Sequence, residues 1–409
     1  MSDEATQRTS AMERPGRVGD QSWEILDTAE LRDPGVVAAV RALMAQQGDR
    51  LLAHDPIWLA GPESEEGADS GTRPAAPCLL RRDGRLVGYA PFHRGTRALR
   101  FAVGELVLHR HRLPGLTLIH EPILEAASED ERVERICTLF RAVAARTQAI
   151  FLDGVPIDSS LSAATARLVA SGWIVTPHGD SYEHYFADLP SSFAEYEDQL
   201  GSRSRKSLRY SRRKLTEHVG GAVQTRRFAR SEQVPDFVAA AQAISRKTYQ
   251  WNLLGLGLRD GAALAARLRL AADHGWMCCY LLYCSGQPVA FILGYLYRGV
   301  YHYTDVGYDP DWAKWSVGSV LQMDVMKDLL TEPERPDRFD FSTGFGTHKA
   351  RFGNFSRREV NFLLLPDTLS NKWLARLYRL TLGIDKRAVA AADALGVKTR
   401  IKKWLRRVA

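Results

Sequence analysis

The stretch that decides the fold contains VYHYTDV at residues 300–306, WSVGS at 315–319 and FDFSTGFGTHK at 339–349. The first piece and the start of the third have the composition of strands, and the second has the small residues typical of a helix start. A strand that leads through such a turn into a helix leaves backbone N–H groups unpaired and directed at one spot. Such a spot binds an anion such as a pyrophosphate. We therefore expect a phosphate-binding turn near Gly318, beside the Asp, His and Lys of the third piece.

Size and composition indicate a globular protein of two domains. The chain has 409 residues, of which 45% are hydrophobic and 25% charged, and this length exceeds that of one ordinary core. There is no run of about 18 apolar residues that would span a membrane, and residues 1–21 have no apolar export signal and are expected to form a disordered lead-in. An odd number of cysteines in apolar runs favours a cytoplasmic protein with reduced, buried thiols and no zinc site; they are Cys78, Cys137, Cys278, Cys279 and Cys284.

The net charge of +7 is unevenly distributed, which suggests an anionic partner. Residues 203–214 include seven basic side chains and no acid on a predicted helix. This helix grips an anionic acceptor or donor phosphates, binds RNA, or is a solvated face, and the sequence leaves all three open. A second predicted helix ends near residue 251 and would form one side of the site that binds the acceptor substrate. The candidate substrate-binding residues are Arg205, Lys206, Arg209, Tyr249 and Trp251.

The C-terminal segment, 367–409, mixes apolar and basic residues. Ile401, Trp404 and Leu405 fall on one helical face, against lysines and arginines on the other. This composition is typical of a helix that lies on a membrane surface, and the anionic inner leaflet is a natural partner. A soluble basic tail is the alternative. The segment therefore predicts a possible peripheral location at the inner membrane face.

Two hairpins of similar sequence stand 202 residues apart. Leu79-Leu80 corresponds to Leu281-Leu282, and Gly84 corresponds to Gly286. Repetition at this spacing predicts two related α/β (α+β) units in tandem, each a mixed, mainly antiparallel sheet flanked by helices. We place the N-terminal unit at 22–187 and the C-terminal unit at 188–366.

The second half resembles the GNAT superfamily, and within it the CelD-type acetyltransferases associated with cellulose and exopolysaccharide production. These resemble the Fem-type aminoacyl transferases, which carry two GNAT-like units in tandem. The resemblance covers residues 185–364 and rests on four segments: 202–209, 286–290, 301–321 and 339–352. The first half matches only in architecture. The phosphate loop departs from the commonest GNAT form, which is richer in glycine and begins with Arg or Gln.

The resemblance assigns a role to the strand–turn–helix stretch. It implies that the helix start holds the pyrophosphate of acetyl-CoA or another acyl-CoA, while strand 300–306 splays from its neighbour and pairs with the donor's amide arm. Tyr303 or His302 would line the acyl pocket. A plain N-capped helix and a half-exposed strand remain the alternatives. The candidate donor-binding residues are Tyr303, Val306, Trp315, Ser316, Val317, Gly318 and Ser319.

Three residues are candidates for the chemistry. Asp340 stands in an apolar strand end and must be paired there, and Lys349 is the expected partner. Acyl transfer needs a base and a donor that steadies the carbonyl oxygen. Asp340 or His348 would be the base and Lys349 the electrostatic stabiliser. A structural salt bridge beside a surface histidine is the alternative.

We therefore expect a cytoplasmic GNAT-like transferase. The resemblance implies that it moves an acyl group, by direct attack in a ternary complex, to an amine or hydroxyl of a sugar, glycan precursor or cell-envelope intermediate. One alternative is a Fem-type ligase that uses aminoacyl-tRNA, with the basic helix gripping tRNA; nucleic acid is otherwise not an expected partner. The other is a non-catalytic partner of a polysaccharide synthase.

Overall fold

A computed structural model describes residues 22–62, 74–103, 106–221, 223–248, 258, 261–343 and 346–394, and within these it leaves out the side chains of 22, 106, 347 and 385–394. The predicted lead-in at 1–21, the candidate residues Tyr249 and Trp251, and the predicted helix face at 401–405 lie outside the described residues.

Strands and helices alternate along the chain. The strands are β1 Ser22–Ile25, β2 Cys78–Arg82, β3 Arg85–Ala90, β4 Phe92–Val103, β5 Leu106–Ile119, β6 Ile123–Leu124, β7 Ile150–Pro156, β8 Ile174–Pro177, β9 Tyr182–Asp188, β10 Val223–Phe228, β11 Cys279–Cys284, β12 Gln287–Tyr297, β13 Val300–Tyr308, β14 Arg338–Asp340 and β15 Phe355–Leu365. The helices are α1 Thr28–Leu31, α2 Pro34–Gln46, α3 Pro56–Ala60, α4 Glu129–Ala144, α5 Ser160–Ala170, α6 Phe193–Gln199, α7 Ser202–Val219, α8 Val234–Arg246, α9 Gly261–Asp273, α10 Val317–Thr331, α11 Thr347–Phe352 and α12 Leu369–Ala394.

The predicted fold class is confirmed, because the protein is a mixed α/β structure of two tandem units. The two hairpins of the repeat, β2–β3 and β11–β12, share their backbone conformation. Both turn residues have positive φ in each copy: 51° and 76° at Asp83 and Gly84, and 48° and 79° at Ser285 and Gly286. This is the turn that matches the twist of a hairpin. The register also shifts at the same place, after Leu80 in one copy and after Leu282, 202 residues later, in the other.

One large sheet joins the two units. Its strand order is β10-β11-β12-β13-β14-β9-β15-β7-β5-β4, and β8 also pairs with β15. Strand β9, from the predicted N-terminal unit, lies between β14 and β15 of the C-terminal unit. Strand β15 in turn pairs with β7 and β8 of the N-terminal unit. The sheet therefore runs without a break across the predicted boundary at residues 187 and 188, which stays a prediction.

Helices cover both faces of the sheet in the C-terminal unit. Leu208 and Leu215 of α7 and Val320 of α10 belong to the apolar cluster on one face, which also holds Tyr301 of β13. Phe237 of α8 belongs to the cluster on the other face, which extends to residues of α2 in the N-terminal unit. Each large apolar side chain buried in this way stabilises the fold by about 1.5–3 kcal/mol. This packing fixes the start of α10 beside the open end of β13.

All five cysteines are buried free thiols, as expected. Burial raises the pKa of the Cys278 and Cys284 thiols to about 11 in each case, so neither is a ready nucleophile at neutral pH. Among the helices that the structure describes, none is long and apolar enough to cross a membrane.

Candidate active site

Strands β13 and β14 separate after a short parallel contact. They pair only through Val300, Tyr301 and His302 of β13. Strand β14 ends at Asp340, whereas β13 runs on to Tyr308. The second half of β13 therefore has no neighbour on this side among the described strands. The splay that the resemblance implies for this strand is thus a feature of the structure, and it leaves backbone N–H and C=O groups open for an extended ligand.

A cavity of about 290 Å³ lies between the open half of β13 and the start of α10, and we call it the strand–helix cavity. Helix α10 follows a short 3-10 helix and begins after Ser316, whose φ of 54° is left-handed. The Ser316 side chain makes no capping hydrogen bond, which weighs against the plain N-capped helix. The first residues of the helix, Val317 and Gly318, have no carbonyl of their own helix to donate to. The positive end of the α10 helix dipole therefore lies at this cavity.

Gln322 provides a further free donor in the strand–helix cavity. It lies one turn after Gly318 on α10 and is 3% exposed. Its Nε2 is buried, and it has no hydrogen-bond partner among the described residues. Because an unpaired buried amide is costly, a polar ligand in this cavity would relieve the cost.

Most of the predicted donor-binding residues line this one cavity. They are Tyr303, Val306, Ser316, Val317, Gly318 and Ser319, and His348 lines it as well. Trp315 does not line it. Its ring instead stacks on His218 at 3.9 Å, with the ammonium groups of Lys214 and Lys314 at 5.5 and 4.9 Å from the ring centroid. Trp315 therefore holds two cations near the helix start.

A second cavity, of about 520 Å³, opens between the two units, and we call it the inter-unit cavity. His302 and Asp340 of the C-terminal unit line it together with Arg97 and His120 of the N-terminal unit. Tyr303 lines both cavities. The two spaces therefore meet at the Tyr303 side chain.

Asp340 is paired, but not with the predicted partner. Its Oδ1 lies 2.6 Å from Nε2 of His184 and accepts the backbone N–H of Ser342 at 2.7 Å. Lys349 instead donates to the carbonyl oxygens of Ser342 and Thr343, at 3.2 and 2.7 Å. The predicted Asp340–Lys349 salt bridge is thus wrong, because the turn after β14 offers its own carbonyls to the ammonium while β9 brings His184 to the carboxylate.

His184 is a buried imidazolium between two carboxylates. Its Nδ1 lies 3.0 Å from Oε1 of Glu359, and Arg357 donates to the same oxygen at 2.6 Å. Carboxylate oxygens only accept, so both ring nitrogens carry a proton. Burial disfavours this charge, but the bonds to Asp340 and Glu359 outweigh it and raise the pKa of His184. The pKa of Asp340 is held well below its usual range against the effect of burial, by His184 and His302.

His348 and Tyr303 form a neutral pair where the cavities meet. Nε2 of His348 lies 3.2 Å from the Tyr303 hydroxyl. Burial, with a smaller effect of Lys349, lowers the pKa of His348, and burial raises the pKa of Tyr303. The imidazole is therefore neutral at pH 7 and can accept a proton. Burial likewise lowers the pKa of Lys349.

The basic helix α7 is partly neutralised by acids. Arg205 pairs with Asp198, and Arg209 makes two bonds to Glu197, at 2.9 and 2.7 Å. Lys206 is exposed. These three candidate substrate-binding residues line neither of the two cavities. Their role in binding an acceptor stays a prediction.

Residues 202–350 match the family model described as "Acetyltransferase (GNAT) domain". This segment is similar to GNAT acetyltransferases. It begins at the first residue of α7 and ends within α11, so it includes the start of α10, Asp340, His348 and Lys349. None of the curated proteins matched the chain.

Solved structures with a similar fold include FemX, at 11% sequence identity and a TM-score of 0.51, over 74% of this chain and 90% of that chain. Another is a tandem GNAT protein from the clavulanic acid biosynthesis pathway, at 11% identity and a TM-score of 0.46, over 84% and 98%. A third is the C-terminal domain of a putative lysylphosphatidylglycerol synthetase from Agrobacterium fabrum, at 13% identity and a TM-score of 0.48, over 87% and 97%. At these identities the likeness to FemX concerns the fold alone.

Sequence reasoning missed the residues that the N-terminal unit and the exchanged strands bring to the site. These are Arg97, His120, His184, Glu359 and Asn361. The one available signal was in β9, where His184 stands two residues before Phe186 and so shares its buried face. The described residues hold no group of three or more His, Cys, Asp or Glu side chains arranged to bind a metal ion.

Proposed function

We propose that the protein is an acyltransferase that carries an acyl group from an acyl-CoA in the strand–helix cavity to an acceptor in the inter-unit cavity. The observation that carries the proposal is the position of Tyr303, which lines both spaces. A donor extended along β13 would place its reactive end at this side chain, facing the acceptor. Acetyl-CoA is the donor that the GNAT similarity of residues 202–350 favours.

The strand–helix cavity suits the parts of such a donor. Its phosphates would accept from the N–H groups of Val317 and Gly318, with Lys214 and Lys314 nearby to balance their charge. The amides of its arm would pair with the open edge of β13, and the free Nε2 of Gln322 would donate to it. The buried Gln322 Nε2 then has a partner.

Transfer would proceed by direct attack. The acceptor nitrogen or oxygen attacks the thioester carbonyl carbon, the new bond to that carbon forms, and the carbon–sulfur bond breaks. His348 is the better base of the two candidates, since its ring is neutral, whereas Asp340 is tied to His184 and Ser342. The Tyr303 hydroxyl lies 3.2 Å from Nε2 of His348 and would return a proton to the leaving sulfur. Lys349 lines neither cavity, and its ammonium group is held by the carbonyls of Ser342 and Thr343, so it would steady the carbonyl oxygen only through its charge.

The inter-unit cavity favours a polar acceptor such as a sugar or another cell-envelope intermediate. Arg97 holds Asp153 at 2.7 Å, and the Asn361 Oδ1 atom accepts the Gly154 N–H at 2.8 Å. Such fixed donors and acceptors match the many hydroxyls of a glycan precursor. This class is also the one that the CelD-type resemblance implies, with its link to cellulose and exopolysaccharide production.

Two measurements test the proposal. Calorimetric titration of the protein with acetyl-CoA should show binding at one site, and binding should disappear when α10 carries an added acid at its start. Cell extract supplied with isotope-labelled acetyl-CoA should yield a labelled product detectable by mass spectrometry only when the protein is present. A protein that neither binds acetyl-CoA at millimolar concentration nor forms a labelled product would refute the proposal.

The Fem-type alternative, with aminoacyl-tRNA as donor, has one feature in its favour. Helix α7 carries seven basic residues in 203–214 and is exposed along much of its length. Binding of tRNA that weakens steeply with salt would support this alternative. A protein that tolerated substitution of Asp340, His348 and Lys349 in turn would instead be a non-catalytic partner of a polysaccharide synthase.

Helix α12 supports a peripheral location at the inner membrane face. Its outward stripe is more than half exposed at every position: Leu369, Trp373, Leu377, Leu380 and Ile384. Residues 367–409 include eleven Lys and Arg against three Asp, so this segment carries +8 while the rest of the chain sums to −1. An apolar stripe within a segment of such charge fits an anionic lipid surface.

Vesicles test this location. The protein should sediment with vesicles that contain phosphatidylglycerol and not with phosphatidylcholine alone. The variant Trp373→Ala/Leu377→Ala should lose this binding and keep its acetyl-CoA affinity. Equal binding by the variant, or a dimer whose association depends on the stripe, would contradict the lipid surface as the partner of α12.

A further inference from the structure

Three histidines stand in a row beside the inter-unit cavity. The ring centroid of His120 lies 6.5 Å from that of His54 and 6.1 Å from that of His184. His120 lines the inter-unit cavity, and it also lines a smaller cavity of about 270 Å³ formed by residues of the N-terminal unit and Arg357 of β15. The middle ring of the row therefore forms part of the wall between two spaces.

The two outer rings are cations. His184 is held between two carboxylates, as described above. His54 has its Nδ1 3.2 Å from Oδ2 of Asp49 and its Nε2 3.1 Å from the carbonyl oxygen of Ile119. Both partners only accept, so both nitrogens of His54 carry protons. Burial opposes the charge, and Asp49 outweighs it, so the pKa of His54 is raised.

The middle ring is neutral and has one free nitrogen. Nδ1 of His120 lies 3.1 Å from the carbonyl oxygen of Gly154, so Nδ1 carries the proton. Its Nε2 has no hydrogen-bond partner in the described part of the chain and keeps its lone pair. Burial lowers the pKa of His120 to about 4. Of the charged groups that face it, Glu359 opposes this effect, and His54, His184 and Arg357 reinforce it.

The backbone is shaped to hold this ring in place. His120 has a φ of 60°, a left-handed conformation that few residues other than glycine adopt. Gly154 has a φ of 71°, and a Cβ atom there would lie 2.8 Å from the His120 ring. Strain of this kind persists where the surrounding structure fixes a side chain for use. A residue larger than glycine at position 154 would clash with the His120 ring.

We propose that Nε2 of His120 accepts a hydrogen bond from an O–H or N–H group of the acceptor and so determines which acceptors fit the inter-unit cavity. The inference rests on the proposed function, because it takes this cavity as the acceptor site. A lone pair on a neutral ring accepts a hydrogen bond from a hydroxyl or an amine. It rejects a carboxylate or a phosphate at the same place, since these have no proton to share. The acceptor therefore presents a hydroxyl or amine, as a sugar ring does, to His120.

Nuclear magnetic resonance tests the state of the ring without any need for turnover. Long-range proton–nitrogen spectra of protein labelled with nitrogen-15 in histidine should show both nitrogens protonated in His54 and His184 at pH 7. His120, assigned by its absence in the His120→Gln variant, should show a proton on Nδ1 only. A proton on Nε2 of His120, or on both of its nitrogens, would overturn the proposal.

Kinetics test the use of the lone pair. His120→Asn keeps a residue that tolerates positive φ but has no acceptor atom at the place of Nε2, whereas the longer His120→Gln restores one. With labelled acetyl-CoA and the acceptor fraction of cell extract, the Asn variant should raise the apparent KM for the acceptor about threefold to tenfold, the effect of one neutral hydrogen bond. kcat should change much less, and Gln should recover part of the loss. An unchanged KM in the Asn variant would overturn the proposal.

Two controls separate this inference from the proposed function. Acetyl-CoA affinity should be the same in the wild type and both variants, because His120 does not line the strand–helix cavity. A wild-type protein that binds acetyl-CoA but transfers no acetyl group would refute the proposed function. Titration with D-glucosamine then decides the inference: a shift of the His120 Nε2 signal that acetate, which has no proton to donate at pH 7, does not produce at equal concentration supports it, and no shift overturns it.

Discussion

Nε2 of His184 lies 2.6 Å from Oδ1 of Asp340, although the two residues stand 156 positions apart in the chain. The bond links β9 to β14, strands that belong to different predicted units. On the other side of the ring, Glu359 of β15 completes a row of alternating charges. The wall of the inter-unit cavity is therefore held by ion pairs between adjacent strands of the shared sheet.

The His184 pair predicts how stability depends on pH. The pKa of His184 is raised by folding, so its contribution is complete below the unfolded value of about 6.5 and is lost as pH rises through the folded value. The pKa of Asp340 is lowered, so its contribution is lost only in acid, as pH falls below about 4. The difference in unfolding free energy between wild type and His184→Gln should therefore be largest between about pH 5 and 6.5 and shrink above it. Urea unfolding from pH 5 to 9 measures it, and a constant difference would contradict the imidazolium.

Lys349 and Asp340 are predicted to couple more weakly in stability than Asp340 and His184. Lys349 bonds to the Ser342 and Thr343 carbonyls rather than to Asp340, so the two share only Ser342 and the attraction of their charges. In a double-mutant cycle, Asp340→Asn and Lys349→Met should therefore show a smaller coupling energy than Asp340→Asn with His184→Gln. The matched cycle of Asp340→Asn with His184→Gln should show more than about 1 kcal/mol, since removing one partner exposes the other as an unpaired buried charge. Equal coupling in the two cycles would restore the salt bridge expected from the sequence.

A negative charge at the start of α10 should abolish donor binding. Ser319→Asp places a carboxylate beside the proposed phosphate position, so acetyl-CoA affinity should fall at least tenfold by charge repulsion. The same acid favours the helix dipole by about 0.3–1 kcal/mol, so the fold should not weaken. Ala163→Asp, in the exposed first turn of α5, adds the same charge away from both cavities and is the control. Calorimetry and thermal unfolding report the two effects, and unchanged affinity in Ser319→Asp would place the donor elsewhere.

The Tyr303 hydroxyl should matter for turnover and not for donor binding. Tyr303→Phe keeps the ring that lines both cavities and removes only the group that lies 3.2 Å from His348. We expect kcat to fall about 10²-fold, as for loss of a proton-transfer group, with acetyl-CoA affinity within about twofold of wild type. Tyr308→Phe is the matched control, because Tyr308 lines the same donor cavity and is 45% exposed. If both variants lose turnover equally, the effect belongs to the cavity and not to the Tyr303 proton.

Local sequence signals predicted the helix start beside β13 and the hairpin turns. WSVGS at 315–319 has the small residues of a helix start, and the structure begins α10 at Val317, within that run. The repeated turns at Asp83-Gly84 and Ser285-Gly286 could be predicted for the same reason, because the conformation of a turn depends on adjacent residues. What such signals encode is the conformation of a few consecutive residues.

The lining of the inter-unit cavity could not be predicted in this way. The partner of Asp340 depends on which strand lies beside β14, and alternation of apolar and polar residues does not encode strand order. The sequence suggested Lys349, nine residues away, as the partner of Asp340, whereas the partner in the sheet is His184. His120 was missed because its signature is a left-handed backbone angle facing Gly154, which no spacing pattern reveals.

The exchange of β9 and β15 has a consequence for any attempt to divide the protein. A chain cut between residues 187 and 188 would keep β9 almost whole on one fragment and leave β14 and β15 on the other, each with bare hydrogen-bonding groups along a former neighbour. Separately produced halves should therefore precipitate or stay unfolded, whereas halves made in the same cell should reassemble. A recombination event that removed either half would then leave the other half without its neighbouring strands, so the two halves should be inherited together.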